Sequence, residues 1–346
     1  MSPKGASWIA AVTVLISIIQ VPARLSAQTR TPANASSAQR GSWVLPRTVD
    51  GQPDLQGVWS NNVATPLQRP QSLAGRSVLD ADEVAALKAA AEELFNGDGD
   101  AAFGDSVFEA ALAKTKSFTS IDGRTGDYNH FWLPVREFEN RTSLITDPLD
   151  GRIPALTAEG QRRAATRPPM GLDNPRADTW EDRSLTERCI TFGAPRLGAG
   201  YNSYYQIIQS RDYVVVVMET IHDARIIPLD GRPHVGASIR QWLGDSRGHW
   251  DGDTLVVDTR NYPATNSLMG ATDNLGVTER FTRVAIDTIK YEVTFDDPST
   301  WVRPWTAMIP LKRADEQLYE FACHEGNTGL EGILSGAREQ ERAEHR

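Results

Sequence analysis

Apolar and polar residues alternate along most of the second half of the chain, from about residue 202 onward. Alternation of this kind, with many β-branched and aromatic side chains, is typical of half-buried strands. The segments that show it are NSYYQIIQS, DYVVVVMETIHDARIIPL, ASIRQWLGDSRGHW, DTLVVDTRNY, GVTERFTRVA, DTIKYEVTFDD, RPWTAMIPLKR and QLYEFACHEG. The pattern predicts an antiparallel meander over residues 201–335.

Short polar turns separate most of these strands. Asp-Gly pairs at 230–231 and 251–252 are strong hairpin signals, and SRD, AIDT and RADEQ have the composition of hairpin tips. A meander of roughly eight strands closes readily into a barrel, because closure removes exposed edges. A barrel of that size can hold one small ligand. The expected fold class is therefore mainly β, with an antiparallel meander closing into a roughly eight-stranded lipocalin-like barrel.

The first half of the chain contains the helical signal. Residues 79–97 have apolar side chains at helical spacing, and Asp80 with Glu83 forms a capping-box pattern. A second helix is expected around residues 105–116. These elements predict a helical and loop-rich N-terminal cover over residues 76–200.

The chain begins with the pattern of an export signal. Lys4 precedes an apolar run, and small residues follow it up to Ala27. We expect residues 1–27 to be a signal peptide and the protein to be periplasmic or secreted; the alternative is a retained N-terminal anchor. Residues 28–75 are expected to be a leader and surface segment, and residues 336–346 a C-terminal tail. After removal of the signal, no segment is apolar enough to span a membrane.

Charge and cysteine content narrow the range of partners. The formal net charge is −9, and no basic cluster is present, which argues against nucleic-acid binding. The cysteines are Cys189 and Cys323. Export to an oxidising compartment predicts a disulfide between them, the alternative being two buried thiols.

Two resemblances extend this interpretation. The run RIIPLDGRPH…WLGDSRGHWDGDTLVVDT…ERFTRVAIDTIKYEVTFDDPSTWVRPWT resembles a large group of uncharacterised exported bacterial proteins. The meander, together with Gly57-Val58-Trp59, resembles the lipocalin or calycin class, which has a Gly-x-Trp near its first strand. This second resemblance implies a ligand-binding barrel.

The stretch HDARIIPLDGRPH, residues 222–234, concentrates candidate chemistry at one strand end. If Asp230 and Gly231 form a two-residue turn, His234 shares a face with Asp223 and Arg225. A carboxylate beside an imidazole orients it and raises its pKa, which suits a general base. The alternative is a surface ion pair between Asp223 and Arg225.

Further candidates lie on other strands. His324 and Glu325 follow Cys323, where a disulfide would hold them rigidly; the alternative is a structured turn. The candidate catalytic residues are thus His222, Asp223, His234, His324 and Glu325. The candidate substrate-binding residues are Arg225, Arg240, Trp242 and Trp305. Arginine favours a carboxylate or phosphate on the ligand, while the tryptophans could instead belong to the core.

No cofactor is expected from the sequence. The candidate histidines with Glu325 could form a metal set, but their spacing matches no compact metal motif, so no metal ligands are predicted. Two hypotheses follow. One is an enzyme that acts on a small organic substrate in the barrel cavity by His/carboxylate acid–base chemistry, as a lyase, isomerase or hydrolase. The other is a lipocalin-like small-molecule binding protein. The enzyme requires histidines that point into a cavity, whereas the binding protein leaves them outside.

Overall fold

The computed structural model describes residues 43–95, 100–115, 118, 133–166, 174, 176–265 and 268–345. The expected signal peptide, residues 1–27, and the first part of the expected leader lie outside the described residues. The described residues belong to one compact unit, Trp43–Arg346.

An antiparallel sheet of ten strands dominates the described part. Its strands are β1 Gly57–Ser60, β2 Ile145–Asp147, β3 Tyr204–Gln209, β4 Tyr213–Met218, β5 Ala224–Pro228, β6 Asp245–Asp251, β7 Thr254–Arg260, β8 Gly276–Ala285, β9 Thr288–Asp296 and β10 Trp305–Ala314. The helices are α1 Ala81–Leu94, α2 Ser106–Ala113, α3 Ala158–Thr166 and α4 Gly329–Glu344.

The sheet curls without closing. Its strand order is β5-β4-β3-β1-β10-β9-β8-β7-β6, with β2 paired to β10. The edge strands β5 and β6 approach each other through side chains: Arg225 on β5 donates a hydrogen bond to Ser246 on β6, at 3.1 Å. No backbone ladder joins these two strands, so the expected closed barrel is not formed. We call the gap between β5 and β6 the seam.

Gly248 permits the close approach at the seam. A Cβ atom at this β6 position would lie 2.8 Å from Ile227 Cγ2 and 2.8 Å from Leu229 Cδ2. Any larger residue would therefore push the two edge strands apart.

Strand β1 lies in the middle of the sheet, between β3 and β10. The sequence places residues 28–75 in a leader and surface segment, within which Gly57-Val58-Trp59 could start a short strand. Leu55 and Trp59 are instead fully buried. The expected surface placement is therefore wrong, because Trp59 packs in the core. A strand of four residues is too short to show this burial as a periodic pattern in the sequence.

The hairpin between β4 and β5 differs from the expected one. We predicted one strand running to a turn at Asp230-Gly231. The chain instead reverses at Thr220–His222, where Ile221 and His222 have φ of 53° and 46°. β5 then pairs antiparallel with β4. The sequence did not predict this turn, because residues 214–223 contain no glycine or proline to mark it.

Three other expectations at strand level also change. ASIRQWL precedes β6 without being a strand, QLYEFACHEG is irregular, and RADEQ therefore does not join two strands. Helix α4 occupies part of the expected barrel domain and of the expected tail.

Side chains fill the interior of the curled sheet. Phe281 stacks on Tyr291 with ring centroids 4.4 Å apart. The cavity that remains among these residues measures about 10 Å³, no more than a single water needs. This space among Phe281, Tyr291 and their neighbours is too small for an organic ligand.

The two helices predicted in the first half of the chain are present. Asp80 accepts a hydrogen bond from the Glu83 backbone at 2.8 Å, and the Glu83 side chain accepts one from the Asp80 backbone at 2.9 Å. This capping box begins α1 where the sequence placed it. Helices α1 and α2 share a second apolar core around Phe95 and Phe108.

Candidate functional site: a cavity at the seam

A cavity of about 720 Å³ opens at the seam. One wall is the start of β5, including Asp223 and Arg225, and the opposite wall is residues 240–246. Thr191 and Pro263 complete the lining. We call this the seam cavity. It brings together four of the candidate residues, namely Asp223, Arg225, Arg240 and Trp242.

Asp223 is a half-buried carboxylate in this lining. Its Oδ2 accepts hydrogen bonds from Thr191 Oγ1 at 2.7 Å and from the Phe192 backbone at 3.3 Å. Burial raises the pKa of Asp223 above its ordinary value, and these hydrogen bonds only partly oppose the shift. Among the described residues no basic side chain lies within ion-pair distance of Asp223.

Arg225 forms an ion pair with Glu279 in the interior and does not pair with Asp223. Its Nη1 donates to Glu279 Oε1 at 2.8 Å, and its Nη2 contacts Glu279 Oε2. Tyr291 donates to Glu279 Oε1 at 2.6 Å. Burial alone would lower the pKa of Arg225, but the Glu279 carboxylate outweighs it and raises that pKa above the usual value. The expected surface ion pair between Asp223 and Arg225 is therefore not formed.

The opposite wall presents Arg240 and Trp242. Arg240 Nη1 donates to the Asp273 carbonyl at 2.8 Å, and Nη2 donates to Asp273 Oδ2 at 3.2 Å. Trp242 is 41% exposed. At Gly244, φ is +71°, and a Cβ atom would lie 2.6 Å from Thr259 Cγ2, so the turn that carries this wall needs glycine.

His234 has two carboxylate partners, neither of them the predicted Asp223. Its Nδ1 lies 2.8 Å from Asp245 Oδ2, and its Nε2 lies 2.8 Å from Asp258 Oδ1. Arg247 also binds Asp245, at 2.7 Å. Asp245 lines the seam cavity, whereas His234 does not. Both Asp245 oxygens are therefore engaged with basic partners.

Sequence reasoning missed Asp245 and Asp258, although a signal was present. The hairpin at Asp251-Gly252 pairs Asp251 with Thr254. Continuing this register places Arg247 opposite Asp258 and Asp245 opposite Arg260. Opposite charges on facing positions attract. The register of this hairpin could therefore have predicted that Asp245 and Asp258 each face an arginine.

The other candidates lie away from the seam cavity. His222, His324 and Glu325 are exposed and outside its lining. Trp305 is fully buried and stacks on Phe295 with ring centroids 4.4 Å apart. The prediction that Trp305 binds substrate is therefore wrong, because its side chain packs in the aromatic core.

Cys189 and Cys323 form a disulfide. The bond joins the loop that carries Thr191 to the chain beyond β10. Since Thr191 holds Asp223, the disulfide supports one wall of the seam cavity.

Comparison with known proteins adds no assignment: no family model, curated protein or solved structure matches this chain significantly. Within the described ranges, no helix is long and apolar enough to cross a membrane. The same residues contain no group of three or more histidine, cysteine or acidic side chains arranged to hold a metal ion.

Proposed function

We propose that the protein binds a small organic amine in the seam cavity. The observation that carries this proposal is the charge balance of the lining. Arg225, Arg240 and Asp245 each have an oppositely charged partner. Asp223 lines the same cavity and forms no ion pair among the described residues, although the neighbouring His222 acts on its charge, so it is the group whose charge a cationic ligand would neutralise.

The walls suit a cation that carries an apolar or aromatic part. Trp242 is 41% exposed in the lining, and Ile226 is 64% exposed on β5. An ammonium near an indole face gains cation–π attraction, and its apolar part gains by leaving water. Both contributions add to the pairing with Asp223.

The binding hypothesis agrees better with the geometry than histidine-based catalysis does. A histidine-based enzyme needs an imidazole facing the substrate, and none of His222, His234 and His324 lines the seam cavity. We further propose that the curled sheet is a lipocalin-like scaffold whose ligand lies at the seam and not in the interior. The disulfide is compatible with the proposed action after export.

Titration calorimetry with 2-phenylethylamine tests the proposal, with 3-phenylpropionate as the probe of opposite charge. We expect the amine to bind and the acid to bind at least ~10-fold more weakly, since a charged pair in a half-buried site contributes about 1.5–3 kcal/mol. Asp223→Asn should remove that preference. Asp230→Asn, outside the lining, is the matched control. Equal binding of the two probes, or unchanged amine affinity in Asp223→Asn, would contradict the proposal.

Acid–base catalysis is a second candidate, favoured by the raised pKa of Asp223 in a cleft. In this version Asp223, not a histidine, transfers the proton. Deuterium incorporation into small carbonyl compounds in D2O measures such activity. It should disappear in Asp223→Asn and persist in His222→Asn; the reverse pattern would reject Asp223 as the base.

A further inference from the structure

Arg136 is a buried cation whose guanidinium is only half satisfied. The residue is 7% exposed. Its Nη2 donates to the carbonyls of Val63 at 2.9 Å and Gly104 at 3.0 Å. Its Nε and Nη1 have no hydrogen-bond partner among the described residues. No carboxylate in the described part of the chain lies within ion-pair distance of it, although Asp105 is close enough to act on its charge.

Such an arrangement is costly in a folded protein. Burial lowers the pKa of Arg136 to about 10, which still leaves the side chain charged at neutral pH. A buried charge that forms no ion pair destabilises the fold, as does each buried N–H without an acceptor, and the nearby Asp105 offsets burial of Arg136 only in part. A bound anion would relieve both costs.

Arg136 lines a cavity of about 460 Å³ that shares no lining residue with the seam cavity. Asp105 belongs to the same lining. Its Oδ1 accepts a hydrogen bond from the Leu67 backbone at 3.0 Å, which leaves Oδ2 for a second donor. The remaining surface is mostly apolar, with Leu144, Leu197 and Met269. We call this the Arg136 cavity.

Gly200 helps to place the guanidinium. Its φ is +122°, and a Cβ atom there would lie 3.2 Å from Arg136 Nη1. A side chain at this position would crowd the nitrogen that lacks a partner.

We propose that the Arg136 cavity binds a small zwitterion with an apolar side chain, such as an α-amino acid. The carboxylate would accept hydrogen bonds from Arg136, and the ammonium group would pair with Asp105. A simple carboxylate would bring a second negative charge towards Asp105, and a simple amine would bring a second positive charge towards Arg136. A zwitterion satisfies both groups and keeps the cavity neutral, while its side chain lies against the leucines.

Titration calorimetry of the full chain carrying Asp223→Asn, which removes the amine preference proposed for the seam cavity, with leucine, 4-methylpentanoate and 3-methylbutylamine tests this proposal. The second compound lacks the ammonium group and the third lacks the carboxylate. Leucine should bind at least ~10-fold more tightly than either, because charge-assisted hydrogen bonds are the strong ones. No measurable heat with leucine at millimolar concentration, or three equal affinities, would overturn the proposal.

Asp105→Asn provides the decisive variant, because it keeps an oxygen for the Leu67 backbone while removing the charge. Leucine affinity should fall about 10-fold, with no loss of affinity for 4-methylpentanoate. Asp223→Asn should leave leucine binding unchanged, so failure of this site is distinguishable from failure of the seam cavity. Unchanged leucine affinity in Asp105→Asn would show that Asp105 does not bind the ammonium group, and would reject the zwitterion as the ligand.

Arg136 itself can be tested with Arg136→Lys, which keeps a cation but loses the planar fork. Circular dichroism should show a folded protein, and leucine should bind more weakly than in the wild type. If folded Arg136→Lys binds leucine as tightly as the wild type, the guanidinium is not the group that holds the carboxylate.

Discussion

Arg225 and Arg136 are both buried arginines, and they lie in very different surroundings. Arg225 spans the interior of the sheet and meets Glu279, Ser246 and Thr259. Arg136 meets two backbone carbonyls and forms no ion pair among the described residues, with Asp105 acting on its charge from a longer distance. Accordingly, the pKa of Arg225 is raised and that of Arg136 is lowered.

This difference separates a structural charge from one that is available to a ligand. Arg225 pairs with Glu279 through both Nη atoms and leaves only its Nε without a hydrogen-bond partner, and the pair connects β5 with β8 across the interior. Arg136 has unused donors next to a cavity. Burial alone therefore does not identify a functional arginine; what matters is whether its hydrogen-bonding capacity is already used.

The largest expected effect is that of Glu279→Gln. This change leaves Arg225 charged and buried without a counterion, so the free energy of unfolding should fall by about 3–5 kcal/mol. Urea unfolding at pH 7 measures it. Glu292→Gln on β9 is the control, since its pair with Lys290 is partly exposed and contributes less than about 1 kcal/mol. Equal losses in the two variants would break the comparison.

Tyr291→Phe should have a smaller effect. It removes the hydroxyl that donates to Glu279 at 2.6 Å but leaves the ion pair in place. A hydrogen bond to a charged group contributes about 1.5–3 kcal/mol, and the same urea measurement should show a loss of that size. A loss as large as that of Glu279→Gln would mean that the tyrosine, not the arginine, holds the carboxylate.

The smallest effect concerns the pH dependence of stability near Arg136. Burial raises the pKa of Asp105, so the folded state holds this proton more tightly than the unfolded state does. The stabilisation is present at low pH and is lost as pH rises through the raised pKa. At pH 7, Asp105→Asn should therefore be more stable than the wild type, by less than the loss expected for Tyr291→Phe.

That advantage of the variant should shrink as the pH is lowered towards 4. Thermal unfolding of both proteins between pH 4 and pH 7 measures the trend. A constant difference across this range would show that Asp105 does not titrate differently in the fold.

Local patterns predicted the parts of the fold that depend on local physics. Alternation found β7, β8, β9 and β10, and the Asp80 capping box placed the start of α1. The turn at Ile221 was missed because a β-branched residue at positive φ is imposed by tertiary packing and not by local preference. The central position of β1 was missed for a similar reason, since its partners are distant in sequence.

The candidate site was predictable only in part. Asp223, Arg225, Arg240 and Trp242 do meet in the seam cavity. The partner of Arg225, Glu279, is 54 residues away, so the sequence could not reveal that this charge is neutralised. Arg136 gave no signal at all, because a missing counterion can be recognised only once all neighbours are known.

The disulfide has a mechanical consequence. Cys189 and Cys323 are 134 residues apart, and the segment between them contains every strand from β3 to β10. If the chain is stretched from its two ends, the bond shields about 450 Å of extended length from the load. The force then acts on the elements outside the covalent loop, which are β1, β2 and the four helices. Pulling therefore withdraws β1 from the middle of the sheet while its neighbours remain tethered to each other.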